Sequence, residues 1–155
     1  KKIPLVVVLD NVRSQNNIGS VFRTSDAFLV KEIILCGITA TPPNTEIHKT
    51  ALGAEESVEW RYFEDTINAL NTLRAEGYII YSIEQTENSL NLESLQLDKH
   101  KKYAIILGHE VHGVLQEAIN LSDGCIEIPQ YGTKHSLNVS VTAGIVIWDF
   151  FKQLH

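Results

Sequence analysis

The sequence predicts an α/β fold in which a mainly parallel sheet carries helices on both faces. Short apolar runs rich in β-branched residues recur along the chain, as they do in strands that are covered on both sides. Segments whose apolar residues follow helical spacing separate these runs. Strands that alternate with helices form βα units, which build a parallel sheet. We expect the 155 residues to form a single domain, because this length buries a core without disulfides or metal.

Strands and helices are predicted to alternate along the whole chain. The predicted strands are residues 5–9, 33–36, 58–62, 78–83, 103–107 and 124–128. The predicted helices include residues 18–28, 65–76, 115–121 and 138–153, and the stretches around 42–43 and over 85–100 are predicted as loops. We expect Asn16 or Asn17 to cap the first helix and Asp65 to cap the second, which Gly77 ends.

The composition is that of an ordinary globular protein, with 44% hydrophobic and 21% charged residues. No apolar run approaches the roughly 18 to 20 residues that cross a bilayer, so we expect no membrane contact. No secretory signal follows the first residues, and we therefore expect a cytoplasmic protein. Cys36 and Cys125 are too few for a disulfide framework and are expected to be buried thiols.

The net charge of −6 argues against a protein that binds nucleic acid by bulk electrostatics, because phosphate neutralisation needs clustered lysine and arginine. Binding of RNA then requires the few positive groups to be concentrated in one place. Three polar, glycine-bearing loops follow predicted strands, and open α/β sheets bind ligands beyond the carboxyl ends of their strands. These three loops are therefore the predicted site.

The first loop, NVRSQNNIG, leads into a helix that carries Arg23. Helical spacing places Arg23 on the same side as Asn16 and Ser20, away from the apolar side that contains Phe22. An arginine beside the amides of a helix start can hold a phosphate through directional, charge-assisted hydrogen bonds. The alternative is a capped helix with an ordinary surface arginine.

The second loop, LGHEVHG, carries glycines at both ends that let a ligand approach the main chain. Glu110 in this loop could pair with Arg23. His109 and His112 suggest metal ligands, but their i, i+3 spacing differs from the i, i+4 spacing of the H-E-x-x-H helix, and no cysteine lies nearby. We therefore expect no metal.

The third segment, IPQYGTKHSLNVSV, joins a strand end to a strongly apolar helix through a glycine loop. That helix has almost no polar side, so we expect it to be buried nearly all round, partly in a subunit interface. The alternative is an ordinary core helix capped by Ser136 or Asn138.

The three segments together resemble the three motifs of the SpoU (TrmH-like) RNA ribose 2'-O-methyltransferases of the SPOUT superfamily. NVRSQNNIGSVFRTSDAF resembles the first motif, ILGHEVHGV the second and IPQYGTKHSLNVSVTAGIVIW the third. The resemblance implies a C-terminal deep trefoil knot that forms the pocket for S-adenosyl-L-methionine. It also implies a homodimer packed through helices that include the C-terminal one, and a structured RNA substrate, tRNA or rRNA.

Matching residue by residue, the resemblance implies a set of functional side chains. The implied catalytic residues are Asn17, Arg23, Glu110, Ser136 and Asn138. The implied donor-binding residues are Leu107, Gly108, Ile128, Gln130, Ser136 and Leu137. The expected RNA-binding residues are Arg13, Arg23, Lys49 and Lys134, with His48, His109, His112 and His135 nearby.

The first-motif arginine is usually given the central catalytic role, yet a guanidinium keeps its proton near neutral pH and is a poor general base. We expect Arg23 to grip the substrate phosphate and polarise the 2'-hydroxyl, with Glu110 and Asn17 orienting it. Alignment of the ribose oxygen with a reactive methyl carbon then supplies much of the acceleration.

Two other function classes compete with the enzyme. A non-catalytic RNA-binding or ribosome-assembly module on the same fold would be free to lose several of the five matched catalytic residues, and all five are present. A dinucleotide-dependent oxidoreductase lacks the required G-x-G-x-x-G turn after the first strand. The sequence therefore favours the methyltransferase, with tRNA slightly ahead of rRNA as substrate.

Overall fold

The computed structural model describes residues 1–134 and 136–155, and His135 lies outside the described residues. Within them, a seven-stranded sheet has the order β3-β2-β1-β6-β4-β7-β5. Every strand pair is parallel, which confirms the predicted sheet. The strands are β1 Ile3–Asp10, β2 Val30–Cys36, β3 Glu59–Phe63, β4 Tyr78–Ile83, β5 Leu90–Asn91, β6 Lys102–Gly108 and β7 Gly124–Glu127.

The α-helices are α1 Gln15–Ala27, α2 Thr45–Ala51, α3 Thr66–Ala75, α4 Gln116–Leu121 and α5 Val139–Leu154. Asp65 caps α3 as predicted, and Gly77 follows that helix with φ +93°. The predicted cap of α1 was wrong, because the hydroxyl of Ser14 accepts from the Asn17 amide and the helix begins at Gln15. A serine hydroxyl satisfies an exposed helix-start amide as well as asparagine does.

Two predicted loops contain regular structure. The stretch after Pro43 holds α2, capped by Asn44, and a 3-10 turn at Ala54–Glu56. The stretch predicted as loop at 85–100 holds β5 and a 3-10 turn at Leu92–Ser94. These elements are short, and an apolar period needs more residues than they offer before it stands out from a loop.

Helices cover both faces of the sheet, as predicted, and each face has its own core. Alternate residues of β1 serve the two cores because successive side chains of a strand point to opposite faces. Val7 and Leu9 pack with α1, α2 and α5, whereas Val6 and Val8 pack with α3 and α4. The side chains at the centre of both cores are fully buried.

Helix α5 lies across the first core and departs from the sequence prediction on one side. Val146, Ile147 and Phe150 are buried, but Val141 is 50% exposed, Ile145 39% and Trp148 47%. These three exposed residues follow helical spacing and form one stripe, so the prediction that the helix is buried nearly all round was wrong within a single chain. In the described ranges, no helix is both long enough and apolar enough to cross a membrane.

Candidate active site

A pocket of about 540 Å³ opens at the carboxyl ends of three neighbouring strands, β6, β4 and β7. This is the edge at which parallel sheets bind ligands. The described residues that line it are Ile83, Glu84, Gln85, Leu107, Gly108, His109, Glu110, Val111, His112, Gly113, Ile126, Glu127, Ile128, Gln130, Ser136, Leu137, Asn138, Val139 and Thr142. The second and third predicted segments therefore meet in one cavity.

The second segment forms a tight hairpin at the rim of the pocket. The amides of His109 and Gly113 each donate to the other's carbonyl, at 3.0 and 2.8 Å. A Cβ atom on Gly108 would lie only 2.2 Å from the backbone carbon of Gly113 and from the Val114 nitrogen. Residue 108 must therefore be glycine, because any larger side chain would force the two arms of the hairpin apart.

The imidazole of His109 fastens this hairpin from within. Its Nδ1 accepts from the amides of Val111 and His112, at 3.0 and 3.2 Å. Because Nδ1 is the acceptor, the neutral ring carries its proton on Nε2. The His112 ring stacks on it with centroids 4.7 Å apart. Among the described residues, no group of three or more histidine, cysteine, aspartate or glutamate side chains is placed to hold a metal ion.

The third segment closes the other side of the pocket and starts helix α5. Asn138 is the helix cap, since its Oδ1 accepts from the amides of Ser140 and Val141, at 2.9 and 3.3 Å. The Ser140 hydroxyl also donates to Oδ1, at 2.6 Å. Ser136 and Leu137 precede the cap and are exposed in the pocket lining. The Asn138 oxygen is thus committed to the helix, while its side-chain NH₂ remains able to donate.

Two carboxylates tie the loop after β1 to the loop after β6, and we call these contacts the loop brace. Glu110 of the second segment accepts from the amides of Arg13 and Ser14, at 2.9 and 2.7 Å. In the opposite direction, the buried Asp10 at the end of β1 accepts from the Leu115 amide at 2.8 Å. The loops after β1 and β6 are therefore held in fixed register across about a hundred residues of sequence.

Asp10 also joins a third element to the brace. Its Oδ1 accepts from the hydroxyl of Thr66, at 2.6 Å, and from the side-chain amide of Asn11, at 2.9 Å. Thr66 is the first residue of α3, and Asn11 has a positive φ of 57°. The turn after β1 is thus fixed by side-chain hydrogen bonds in a conformation that asparagine tolerates.

The pKa of Glu110 is lowered by its surroundings. Partial burial raises it, but the hydrogen bonds from the amides of Arg13, Ser14 and Glu110 itself outweigh that effect, with a weaker contribution from Asn17. The carboxylate therefore stays ionised. The suggested pairing of Glu110 with Arg23 was wrong, because the described residues contain no such ion pair and both carboxylate oxygens accept backbone amides instead.

The remaining predicted residues lie outside the pocket lining. Arg23 is exposed on α1, on the side away from the core, as helical spacing predicts. Asn17 is half-buried in the first turn of the same helix. Lys49 on α2 is exposed and ion-paired with Glu46 at 2.8 Å. The side chains of Arg13 and Lys134 are exposed, and only the backbone of Arg13 takes part in the brace.

Helix α2 carries Lys49 next to α1 because the two helices pack unusually closely. A Cβ atom on Gly19 would lie 2.0 Å from the Thr50 hydroxyl and 2.2 Å from the Ile47 carbonyl oxygen. The Thr50 hydroxyl also donates to the Asn16 carbonyl at 2.8 Å. The first segment thus contacts α2 on one side and the second segment on the other.

Sequence reasoning missed one wall of the pocket, formed by Ile83, Glu84 and Gln85 at the end of β4. The strand itself was predicted correctly, but the loop after it carries no glycine and was not considered a site. The usable signal was the rule that a strand end beside a ligand loop belongs to the same crevice. Sequence alone does not reveal that β4 lies between β6 and β7.

The lining fits a nucleoside-sized ligand that carries positive charge. The volume lies within the usual range of roughly 300 to 1,000 Å³ for ligand pockets. Leu107 and Ile128 contribute apolar surface, and Gly108 allows close backbone approach. No lysine or arginine among the described residues lines the pocket, whereas Glu84, Glu110 and Glu127 do.

The sequence model of the SpoU rRNA methylase family matches residues 4–148. The chain belongs to this family. The SpoU family match covers β1 to most of α5 and includes all three segments of the site.

Two curated relatives of this SpoU chain act on different RNAs according to their names. It is 32% identical over 149 residues to the tRNA (guanosine(18)-2'-O)-methyltransferase of Thermus thermophilus, covering 96% of this chain and 75% of the relative. It is 30% identical over 150 residues to a 23S rRNA (guanosine-2'-O-)-methyltransferase of Nitrosomonas europaea, covering 96% and 56%. The chain therefore spans between about half and three quarters of the length of these relatives.

Solved structures of similar proteins agree with the fold. An AdoMet-bound rRNA methyltransferase from Sinorhizobium meliloti superposes with a TM-score of 0.89 at 26% identity, covering 97% of this chain and 57% of that one. The A. aeolicus TrmH/SpoU tRNA modifying enzyme superposes with a TM-score of 0.86 at 26% identity, covering 99% and 76%.

Proposed function

We propose that this chain is the catalytic domain of an RNA methyltransferase that transfers a methyl group from S-adenosyl-L-methionine to a ribose 2'-hydroxyl of tRNA or rRNA. The single observation that carries the proposal is the pocket in which the second and third segments meet, with the first segment tied to it by the loop brace. Relatives named as 2'-O-methyltransferases and a similar structure named as AdoMet-bound support it.

We assign donor binding to Leu107, Gly108, Ile128, Gln130, Ser136 and Leu137, all of which line the pocket. When bound, S-adenosyl-L-methionine supplies an electrophilic methyl group on a sulfonium centre. Leu107 and Ile128 offer apolar contact, and Gly108 leaves the main chain open to a ligand. Ser136 is exposed at the pocket and carries a hydroxyl that can donate or accept there.

The residues proposed as catalytic are Asn17, Arg23, Glu110, Ser136 and Asn138. Of these, Glu110 has a fixed task, because its ionised carboxylate holds the amides of Arg13 and Ser14 and so sets the entrance of α1. Arg23 lies further along α1 with its guanidinium exposed, where it can grip a phosphate and polarise a ribose hydroxyl. Positioning rather than proton abstraction is the main contribution of these side chains.

The proposed RNA surface includes Arg13, Arg23, Lys49 and Lys134, which are all exposed. With a net charge of −6, this surface should bind RNA weakly and with strong dependence on salt. We also propose that the protein acts in the cytoplasm.

We further propose a homodimer and a C-terminal trefoil knot. The exposed stripe of Val141, Ile145 and Trp148 on α5 supports the dimer, since apolar side chains in a row mark association surfaces. Substituting Val141→Glu should convert a dimer to monomers by sedimentation, whereas Ile38→Glu, at an exposed site off the stripe, should not. A wild type that sediments as a monomer at micromolar concentration contradicts the dimer.

Two measurements distinguish the enzyme from the rival function, a non-catalytic RNA-binding module. Mapping 2'-O-methylation across all stable RNA, in cells with and without this protein, should reveal a modification that disappears with the protein. Calorimetry should in parallel detect donor binding to the purified chain. If every modification remains in cells without the protein and the purified chain does not bind the donor, the binding module is favoured.

A further inference from the structure

Glu84 is an unusual component of the pocket. It follows the last residue of β4, and its amide donates to the Ile126 carbonyl at 3.1 Å, which fixes its backbone between β4 and β7. Its side chain lies against the hairpin of the second segment, where a Cβ atom on Gly113 would be 2.8 Å from Oε2. Glu84 is thus half-buried and lines the cavity.

The hydrogen bonding of Glu84 leaves part of its charge uncompensated. Oε2 accepts from the Val114 amide at 3.3 Å, and Oε1 accepts no hydrogen bond from residues 1–134 or 136–155. Of the other two pocket carboxylates, Glu110 accepts from two amides, whereas Glu127, like Glu84, accepts one hydrogen bond, from the Ser89 hydroxyl. Burial raises the pKa of Glu84, and the Val114 amide offsets only part of that rise.

A half-buried carboxylate with a single hydrogen bond, at 3.3 Å, is less favourable in the folded protein than one that lies beside a positive group. No lysine or arginine of the described chain lines this cavity to supply that charge. Natural proteins retain such unfavourable groups where a ligand uses them. We therefore expect the ligand to supply the positive charge that the pocket lining lacks.

We infer that Glu84 selects the positively charged methyl donor over its spent product, an inference that rests on the proposed function. S-adenosylmethionine and S-adenosylhomocysteine share the adenosine, the ammonium and the carboxylate, and differ in the methyl group and the sulfonium charge. A carboxylate in the pocket attracts a positively charged sulfonium much more strongly than an uncharged thioether, whereas apolar walls do not separate the two by charge. Glu84 thereby favours donor binding and weakens inhibition by the product.

Calorimetric titration of the purified chain and of Glu84→Gln tests the inference. The three probes are S-adenosylmethionine, S-adenosylhomocysteine and sinefungin, an unreactive analogue with an ammonium group in place of the methylsulfonium. Glutamine keeps an oxygen that can accept from the Val114 amide, so the hairpin is preserved. Glu84→Gln should raise the dissociation constants of S-adenosylmethionine and sinefungin about tenfold, as expected for loss of one charged contact. The dissociation constant of S-adenosylhomocysteine should change by less than about twofold.

The matched control is Glu87→Gln, which removes the same charge from an exposed residue three positions away and outside the pocket lining. It should leave all three affinities unchanged. Unfolding without ligand provides a second measurement, because removing an uncompensated carboxylate should leave the stability unchanged or increase it.

Four outcomes overturn the inference. If Glu84→Gln lowers the affinity for all three ligands equally, Glu84 contacts the ammonium that they share. If it lowers none of the affinities, Glu84 does not take part in ligand binding. A large loss of stability in Glu84→Gln would assign it a structural role. Failure of the wild type to bind any of the three ligands would overturn the proposed function itself and this inference with it.

Discussion

The two halves of the proposed site are built in opposite ways. The donor half is a concave pocket in which two predicted catalytic side chains, Glu110 and Asn138, are committed to backbone amides. The RNA half is the outer side of α1 and α2, with exposed cations such as Arg23 and Lys49. A small ligand needs a preformed cavity, whereas a large anionic ligand needs reachable charge. Changes to the two halves should therefore have separable effects.

The largest expected effect is on the RNA half, from Arg23→Lys. A lysine keeps the charge but loses the planar fork that holds a phosphate in one orientation, so turnover should fall by several orders of magnitude. Donor affinity measured by calorimetry should be unchanged, because Arg23 does not line the pocket. Arg74→Lys, on the opposite face of the sheet, is the control. Near-normal turnover in Arg23→Lys would remove Arg23 from its proposed role.

The second effect is on the donor half, from Gly108→Ala. The added methyl would meet the Gly113 and Val114 backbone at 2.2 Å, so the hairpin must open and donor affinity should fall at least about tenfold. Gly132→Ala, where the added methyl has open space, should bind the donor normally. Equal affinities in the two variants would mean that the hairpin does not shape the donor site.

The third effect tests the loop brace that joins the halves. Asp10→Asn replaces one acceptor oxygen of a buried carboxylate by an NH₂ group that faces other donors. The free energy of unfolding, measured in urea, should fall by about 1 to 3 kcal/mol. Asp26 is exposed on α1, and Asp26→Asn should leave the free energy of unfolding almost unchanged. An unchanged midpoint for Asp10→Asn would show that the brace does not contribute to stability.

The smallest effect is the pH dependence that Glu110 confers. Its folded-state pKa is lowered, so its contribution is fully present above the unfolded value of about 4.5 and is lost as the pH falls through the lower folded value. The unfolding free energies of wild type and Glu110→Gln should differ by less than about 1 kcal/mol at pH 7, because the group is exposed. That difference should shrink below about pH 4.5. A difference that grows on acidification would contradict the sign.

The alternating pattern of the sequence allowed most of the fold to be predicted. Strand β1 has apolar residues on both of its alternating sides, Val7 and Leu9 on one and Val6 and Val8 on the other. This pattern predicts a strand that is covered on both faces, and such strands build a parallel sheet. Helix α2 was missed because seven residues offer fewer than two full turns of periodicity. The second and third segments identified in the sequence supply most of the pocket lining, the first supplies none of it, and Arg23 lies exposed as helical spacing predicts.

What the sequence determined by itself is local: which stretches form strands and helices, and which loops carry polar side chains beside glycine. The tertiary structure decided which loops meet. Placing β4 between β6 and β7 brings Glu84 into the pocket, and the loop brace commits Glu110 to amides instead of Arg23. Periodicity reports which side of an element is apolar, whereas strand order and hydrogen-bond partners depend on how distant segments pack, and spacing along the chain carries no record of that.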